Sequence, residues 1–273
     1  MLQSPAHRVA WIWFWAATCL TLAGSVWGQA PSLVTDRPDQ TESSETVAPG
    51  YVQLEFGWTH VEDDEDVDVK ADSFPETLIR IGVIENLEFR FGFDGYIWQE
   101  VDSGASPSQR DDGAGDLEIG LKYKLWQEDG WLPQTALLAG TTLPAGARAF
   151  SSERLDPSVR LACSHTLTET VGFGYNLAGI WQTEEDAIGD RDTTASVAYS
   201  AVLGIALSER LGTFIEFFGE APTATGKPAN SLDAGLTYLI ADNLQIDVLA
   251  GTALSEAADD WFIGAGLVWR LPR

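Results

Sequence analysis

Residues 87–98 read LEFRFGFDGYIW. Leu87, Phe89, Phe91, Phe93 and Ile97 fall on one side of an extended chain, and Glu88, Arg90, Asp94 and Tyr96 on the other. Successive side chains of a strand point to opposite faces, so this stretch predicts a β-strand with one oily and one wet face. The wet face carries charges of both signs, which a dry packed core could not take up cheaply.

The same two-faced pattern recurs along the chain. Leu117, Ile119, Leu121, Tyr123 and Leu125 oppose Asp116, Glu118, Lys122 and Lys124. Leu232, Ala234, Leu236, Tyr238 and Ile240 oppose Asp233, Gly235 and Thr237, and Leu244, Ile246 and Val248 oppose Gln245 and Asp247. Val52, Leu54, Phe56 and Trp58 oppose Gln53 and Glu55, and Trp261, Ile263, Ala265, Leu267 and Trp269 make a last stripe. Strands are predicted over 51–61, 73–83, 87–98, 114–125, 132–142, 156–166, 170–182, 193–207, 211–220, 230–240, 244–253 and 260–270. That is twelve, and an even number suits a bacterial barrel.

The connectors alternate in length. Ile84-Glu85-Asn86, Thr168-Glu169, Ser208-Glu209-Arg210 and Ala241-Asp242-Asn243 are tight turns, while 62–72, 99–113, 143–155, 183–192 and 221–229 are longer and polar. Short turns on one rim and long loops on the other is the pattern of a transmembrane barrel. The turns recur at a hairpin period that a propeller blade would share, but a blade needs four short strands where two long ones stand. A soluble sandwich would show the same alternation. Three features favour the barrel: strands of about ten residues against a usual five or six, tryptophans near strand ends where an interfacial girdle would place them, and mixed charges on the inward face. The fold class is therefore all-β, an antiparallel up-and-down barrel over residues 51–273.

Residues 1–30 stand apart. Arg8 precedes the apolar run VAWIWFWAATCLTLAGSVW, and small residues follow near Gly28 and Ala30. This reads as a cleaved signal peptide, with an uncleaved anchor as the competing reading. Cleavage after Ala30 leaves 15 basic against 41 acidic residues, and it removes Cys19, so Cys163 has no partner for an intrachain disulfide. So acidic a chain lacks the basic face that nucleic acid requires. Residues 31–50, PSLVTDRPDQTESSETVAPG, are polar and aperiodic, an irregular segment lying either in the periplasm or folded back into the lumen.

The stretch TDRPDQTESSETVAPGYVQLEFG (35–57), followed by ENLEFRFGFDGY, GAGDLEIGLKYKL, an LPAG segment, DNLQIDV and a closing GAGLVWR, resembles the bacterial outer-membrane family named for the MetA pathway of phenol degradation. The resemblance spans the chain after residue 30. It implies an outer-membrane barrel with a role in small-molecule uptake, and the family label says little about substrate. One departure is the end, Trp269-Arg270-Leu271-Pro272-Arg273, where such barrels often finish on an aromatic residue.

No catalytic motif stands out: there is no HExxH, no P-loop and no GxSxG on a strand-turn-helix. His60 and His165 fall on the lipid side of their strands, and Ser164 and His165 point to opposite faces. The chain is expected not to be an enzyme and to need no cofactor. Candidate lumen and constriction residues are Asp36, Arg37 and Asp39 of the irregular segment, with Arg80, Glu88, Arg90, Asp94, Glu118, Lys122 and Asp247 of the strands. If the segment folds back, Asp36, Arg37 and Asp39 would meet wall charges such as Arg80, Arg90 and Lys122. Asp63, Asp64, Asp66 and Asp68 are weak calcium candidates, because hard cations favour several carboxylates but this run lacks the turn glycine of a calcium loop. The expected function is passive passage of small solutes, aromatic or hydrophobic ones among them, with mild cation preference. The alternative is a non-conducting structural or adhesion barrel. The expected partners are outer-membrane lipid, lipopolysaccharide, the barrel assembly machinery and a small-molecule solute.

Overall fold

The structure is a computed structural model and describes residues 31–64, 67–104, 107–185, 191–224 and 226–272. Met1–Pro31 and Ser32–Arg273 are separate units, and the fold is that of the second. The expected signal peptide, residues 1–30, lies outside the described residues, as does Asp66.

The strands are β1 (Tyr51–Asp63), β2 (Asp68–Ile84), β3 (Leu87–Phe93), β4 (Tyr96–Asp102), β5 (Gln109–Ala114), β6 (Leu117–Trp126) and β7 (Gln134–Leu143). They continue as β8 (Pro157–Thr166), β9 (Val171–Glu185), β10 (Arg191–Ala206), β11 (Leu211–Pro222), β12 (Ala229–Ala241), β13 (Leu244–Ala253) and β14 (Trp261–Pro272). Each pairs antiparallel with its neighbours. β1 closes the ring on β14, from Tyr51↔Pro272 to Glu62↔Trp261, and on β2. Closure leaves the barrel body without an open seam, the condition for spanning a bilayer with strands, and β5, paired with β4 alone, ends the ladder only on its own extension.

Fourteen segments make twelve staves. β3 and β4 both pair with β2, β6 continues the ladder beside β3, and β5 continues it beside β4, so 87–102 and 109–126 are each one broken stave. The two breaks, at Asp94-Gly95 and Gly115-Asp116, lie level with Pro75 of the continuous strand β2. Pro75 has no N–H to give the ladder, and Gly95 has φ +93°, a conformation that side chains resist. The break reverses the alternation expected past residue 94. Tyr96 and Trp98 meet as tilted rings with centroids 4.9 Å apart on the exposed face, and Ile97 lies against Gly115 within.

The connectors are also shorter than the sequence suggests. Strands β2, β4, β5, β9 and β10 run on into 62–72, 99–113 and 183–192, because extended ladders above the membrane satisfy backbone groups that a loop would leave to water.

Burial is inverted relative to a soluble protein. Arg80, Lys122, Glu55, Glu88 and Glu216 are fully buried, whereas Leu121, Leu161, Leu177, Ile215, Leu236 and Val248 are exposed on the outer wall. An uninterrupted outward apolar belt marks contact with lipid. Trp58, Trp98, Trp181 and Trp261 flank it at the rim of the long connections, and Trp126, Trp131 and Trp269 at the rim of the tight turns. The barrel is therefore of the outer-membrane type, with the tight turns and the start of β1 on the periplasmic side.

Candidate functional site

The lumen is crossed by residues 32–50. Arg270 Nη1 donates to the carbonyl of Ser32 at 2.7 Å near the periplasmic rim. Gln53 Nε2 donates to the carbonyl of Val34 at 2.9 Å. The segment rises to Gln40, whose N–H donates to Glu216 Oε2 at 2.6 Å, and to Thr41, whose hydroxyl donates to Glu216 and meets Ser200. It returns through Glu42, which exchanges hydrogen bonds with Asn176, and through Ser44, which meets Ser164 at 2.6 Å. Lys124 then holds Glu45 at 2.9 Å, and the Val47 N–H donates to Glu88 Oε2 at 2.7 Å. The polar, aperiodic composition is what allows this path. A chain without a ladder must send its backbone N–H and C=O groups to side chains, and the inward faces of the staves supply them.

Asp36 is the centre of the arrangement. Its Oδ2 takes Arg90 Nη1 at 2.5 Å, Lys122 Nζ at 2.7 Å and Arg80 Nη1 at 3.1 Å. Its Oδ1 accepts the Ser43 N–H at 3.0 Å, and its own N–H points at Glu55. Arg80 also binds Glu55 at 3.1 Å and Glu88 at 2.9 Å, and Arg90 binds Glu42 at 2.6 Å. Three cations and the carboxylates of Asp36, Glu42, Glu55 and Glu88 thus form one network, with mutual pairing offsetting the cost of dehydrating each charge.

Arg37 turns away from these cations to the acids Glu76, at 3.3 Å, and Asp247, at 3.5 Å. It passes over two glycines of the wall. A Cβ on Gly57 would stand 2.2 Å from Arg37 Nη1, and one on Gly266 2.4 Å from Arg37 Nε. Asp39 feels the charges of Glu216 and Asp233 rather than joining the basic group. Asp94 and Glu118 line cavities beside Arg90.

The order of staves places β3 opposite β11, and β6 opposite β12. Arg90 and Lys122 therefore face Glu216 and Asp233 across the lumen. Glu216 and Asp233 are register partners on adjacent staves. Both carboxylate oxygens of Asp233 are buried without a hydrogen-bond partner among the described residues. The basic side is neutralised by acids, whereas on the acidic side Glu216 has only Arg160 within electrostatic reach and Asp233 has no hydrogen-bond partner among the described residues.

Sequence reading passed over Glu42, Glu45, Glu76, Arg160, Glu216 and Asp233 as site residues. For Glu216 the alternation is obscured, because Phe214 and Phe218 face inward while Ile215 and Phe217 face outward. For Glu42 and Glu45 no periodicity exists to read. At the opposite rim, the Asp64 N–H donates to Asp260 at 3.0 Å, tying the acidic hairpin tip to the β13–β14 connection. Among the described residues, Asp63, Asp64 and Asp68 join no group of three or more metal-ligating side chains.

The family model described as "Putative MetA-pathway of phenol degradation" matches residues 35–271. No curated protein matches the sequence. Among solved structures, the chain is similar to an outer membrane channel from Pseudomonas putida F1, with 14% identity, TM-score 0.66, and 84% of this chain and 98% of that one covered. The NanC porin has 10% identity and TM-score 0.52 over 81% of this chain and 100% of its own. The translocator domain of the autotransporter NalP from Neisseria meningitidis has 12% identity and TM-score 0.51 over 81% and 87%. At these identities the likeness is one of fold.

Proposed function

This chain belongs to the family described as "Putative MetA-pathway of phenol degradation", and from that premise we propose that it is a passive outer-membrane channel for small solutes with a mild cation preference. The observation that carries the reading is the asymmetric lumen. Arg80, Arg90 and Lys122 are cancelled by Asp36, Glu42, Glu55 and Glu88, while on the facing staves Asp233 has no partner for either carboxylate oxygen and Glu216 has no cation in ion-pair range among the described residues, only Arg160 farther off. Selectivity in a pore follows the charge lining its narrow part. In this reading, residues 32–50 narrow the lumen, and the outer wall meets lipid and lipopolysaccharide. The NanC porin and the Pseudomonas putida channel share the architecture, which supports the reading without identifying a solute.

Planar-bilayer reversal potentials in a salt gradient test it. The wild type is expected to prefer cations, and the double variant Glu216→Gln/Asp233→Asn to shift toward zero selectivity. A clear anion preference of the wild type refutes the selectivity. The segment's contacts with most of the staves favour a second reading, a non-conducting barrel. Liposomes that fail to swell with small sugars or phenols would favour that one.

A further inference from the structure

We propose that the wall between β8 and β11 binds a small zwitterionic solute, one bearing a carboxylate and an ammonium group. The inference rests on the channel reading for its route but not for its chemistry.

It begins with Arg160. The lumenal cations Arg37, Arg80, Arg90, Lys122 and Lys124 each have a carboxylate within 3.5 Å. Arg160 has none in ion-pair range among the described residues. Its Nη1 donates to the carbonyl of Gln40 at 3.2 Å and to Asn176 Oδ1 at 3.3 Å. These neutral acceptors aim the guanidinium without an ion pair, and Glu118 and Glu216 reach it only through longer-range electrostatics. The rest of its planar fork is left for an oxyanion, which such a fork grips bidentately.

The registers place Arg160 at one end of a row. Arg160 pairs with Ala178, Ala178 with Ala198, and Ala198 with Glu220. All four face the lumen. Three inter-strand spacings of about 4.8 Å set the charged ends about 14 Å apart at Cα. Two alanines between them leave the middle of the row hollow, with the Arg160 side chain leaning toward Asn176 and the Glu220 side chain toward Ser196. The hollow belongs to a cavity of about 330 Å³ above Gln40 of the lumen segment, lined also by Phe218, Ile180 and Asp259. That size fits a small ligand, and the mix of apolar surface with a few placed polar groups is what small-molecule sites use. Glu220 takes the Ser196 hydroxyl, which leaves it acceptor capacity for an ammonium group. A lone carboxylate would satisfy Arg160 but stand near Glu220 and Asp259. A lone ammonium would do the reverse. A zwitterion answers both ends, with its apolar substituent against Phe218 and the alanines.

The test uses the full chain refolded in detergent, with L-alanine, acetate and methylammonium titrated separately by calorimetry. L-Alanine is expected to bind saturably, and acetate and methylammonium at least about tenfold more weakly. Arg160→Gln and Glu220→Gln should each weaken L-alanine at least about tenfold while keeping the heat-modifiable gel mobility of a folded barrel. Acetate binding as tightly as L-alanine, no L-alanine binding, or unchanged affinity in both folded variants would overturn the proposal. Bilayer currents separate this from the channel reading. Binding without potassium chloride current removes the channel and keeps the site, and normal current without binding removes the site and keeps the channel.

Discussion

Replacing Asp36 by Asn removes one negative charge from the point where three cations converge. Arg90, Lys122 and Arg80 lie 2.5, 2.7 and 3.1 Å from the same carboxylate oxygen, and all four side chains are at most 9% exposed. An amide can accept one or two of these hydrogen bonds but brings no charge, and its NH₂ group meets donors. Removing one partner of a buried, hydrogen-bonded ion pair costs about 3–5 kcal/mol. The three cations keep Glu42, Glu55 and Glu88, so the lower half of that range, about 3–4 kcal/mol, is the better expectation. Asp36 belongs to the lumen segment and its partners to the wall, so the loss falls on docking of the segment. The barrel ladder is untouched. At 1.4 kcal/mol per decade, the ratio of docked to undocked segment should fall by about 10²- to 10³-fold. Amide hydrogen exchange reads that ratio directly. The N–H groups of Gln40, Glu42 and Val47 donate to Glu216, Asn176 and Glu88, and they can exchange when the segment leaves. Their protection should drop by that factor in Asp36→Asn, while β9 and β10 amides keep theirs. Equal exchange across residues 36–47 in the variant and the wild type would refute the argument that this network holds the segment.

Gly57→Ala should reproduce Arg37→Ala, because its new Cβ would stand 2.2 Å from Arg37 Nη1 and force that side chain off its seat. The single-channel current of both should depart from wild type in the same direction, and wild-type current in both would take Arg37 out of the constriction. Leu177→Arg, midway along β9 on the outer wall and 56% exposed, should destabilise the barrel in lipid vesicles by about 2–4 kcal/mol. A denaturation midpoint within error of wild type would mean that this face does not meet the bilayer core. At the extracellular rim, the Asp64 carboxyl is pushed up by its hydrogen bond with the Asp260 carboxyl. A carboxyl raised on folding lends stability that is complete below its unfolded pKa and lost as pH rises through the folded one. The tie between the hairpin tip and the β13–β14 connection should therefore be firmest in acid and loosen upward from the ordinary carboxylate range. Exchange protection near Asp64 that rises with pH, after correction for intrinsic rates, would contradict this.

The fold was legible because lipid and lumen impose opposite demands on neighbouring residues. Leu87 to Phe93 alternate without exception, and the structure keeps every one of them on the expected side. The reading failed at Tyr96 and Ile97 because alternation has no memory across a break. The break is written in Pro75 and Gly95, on two different staves, and becomes visible only when the registers align them. Of the lumen network, the wall cations, Glu88 and the central Asp36 were legible, while Glu42, Glu45 and Glu55 were not. Arg80, Glu88, Arg90 and Lys122 sit on strands whose period assigns their face. Glu42 and Glu45 lie in an aperiodic segment, where position in the lumen is decided by distant partners such as Asn176, 134 residues from Glu42. Arg160 is hidden differently: its strand is legible, but its lack of a carboxylate is a property of three-dimensional company.

The strong negative charge of the chain does not by itself explain an acidic lumen, since much of it sits on the rim loops. Distribution matters more than the sum. Within the buried network, without residues 32–50, Arg80, Arg90 and Lys122 would meet only Glu55 and Glu88, a surplus of one positive charge facing Glu216 and Asp233. A field would then run across the pore, and passing ions of both signs would find a wall. With the segment seated, Asp36 and Glu42 reverse that surplus to a deficit within the network. On the proposed channel reading, seating the segment thus turns a dipolar lumen toward cation preference. That is why a polar stretch without a periodic pattern carries so many acids, and why its arginine, Arg37, points to Glu76 and Asp247 instead of to the basic side. Deleting residues 32–47 should therefore do two things together: raise the conductance and reduce the cation preference. A deletion that widened the pore while leaving the reversal potential unchanged would mean that the wall alone sets the selectivity, and that the acids of the segment serve only to hold it in place.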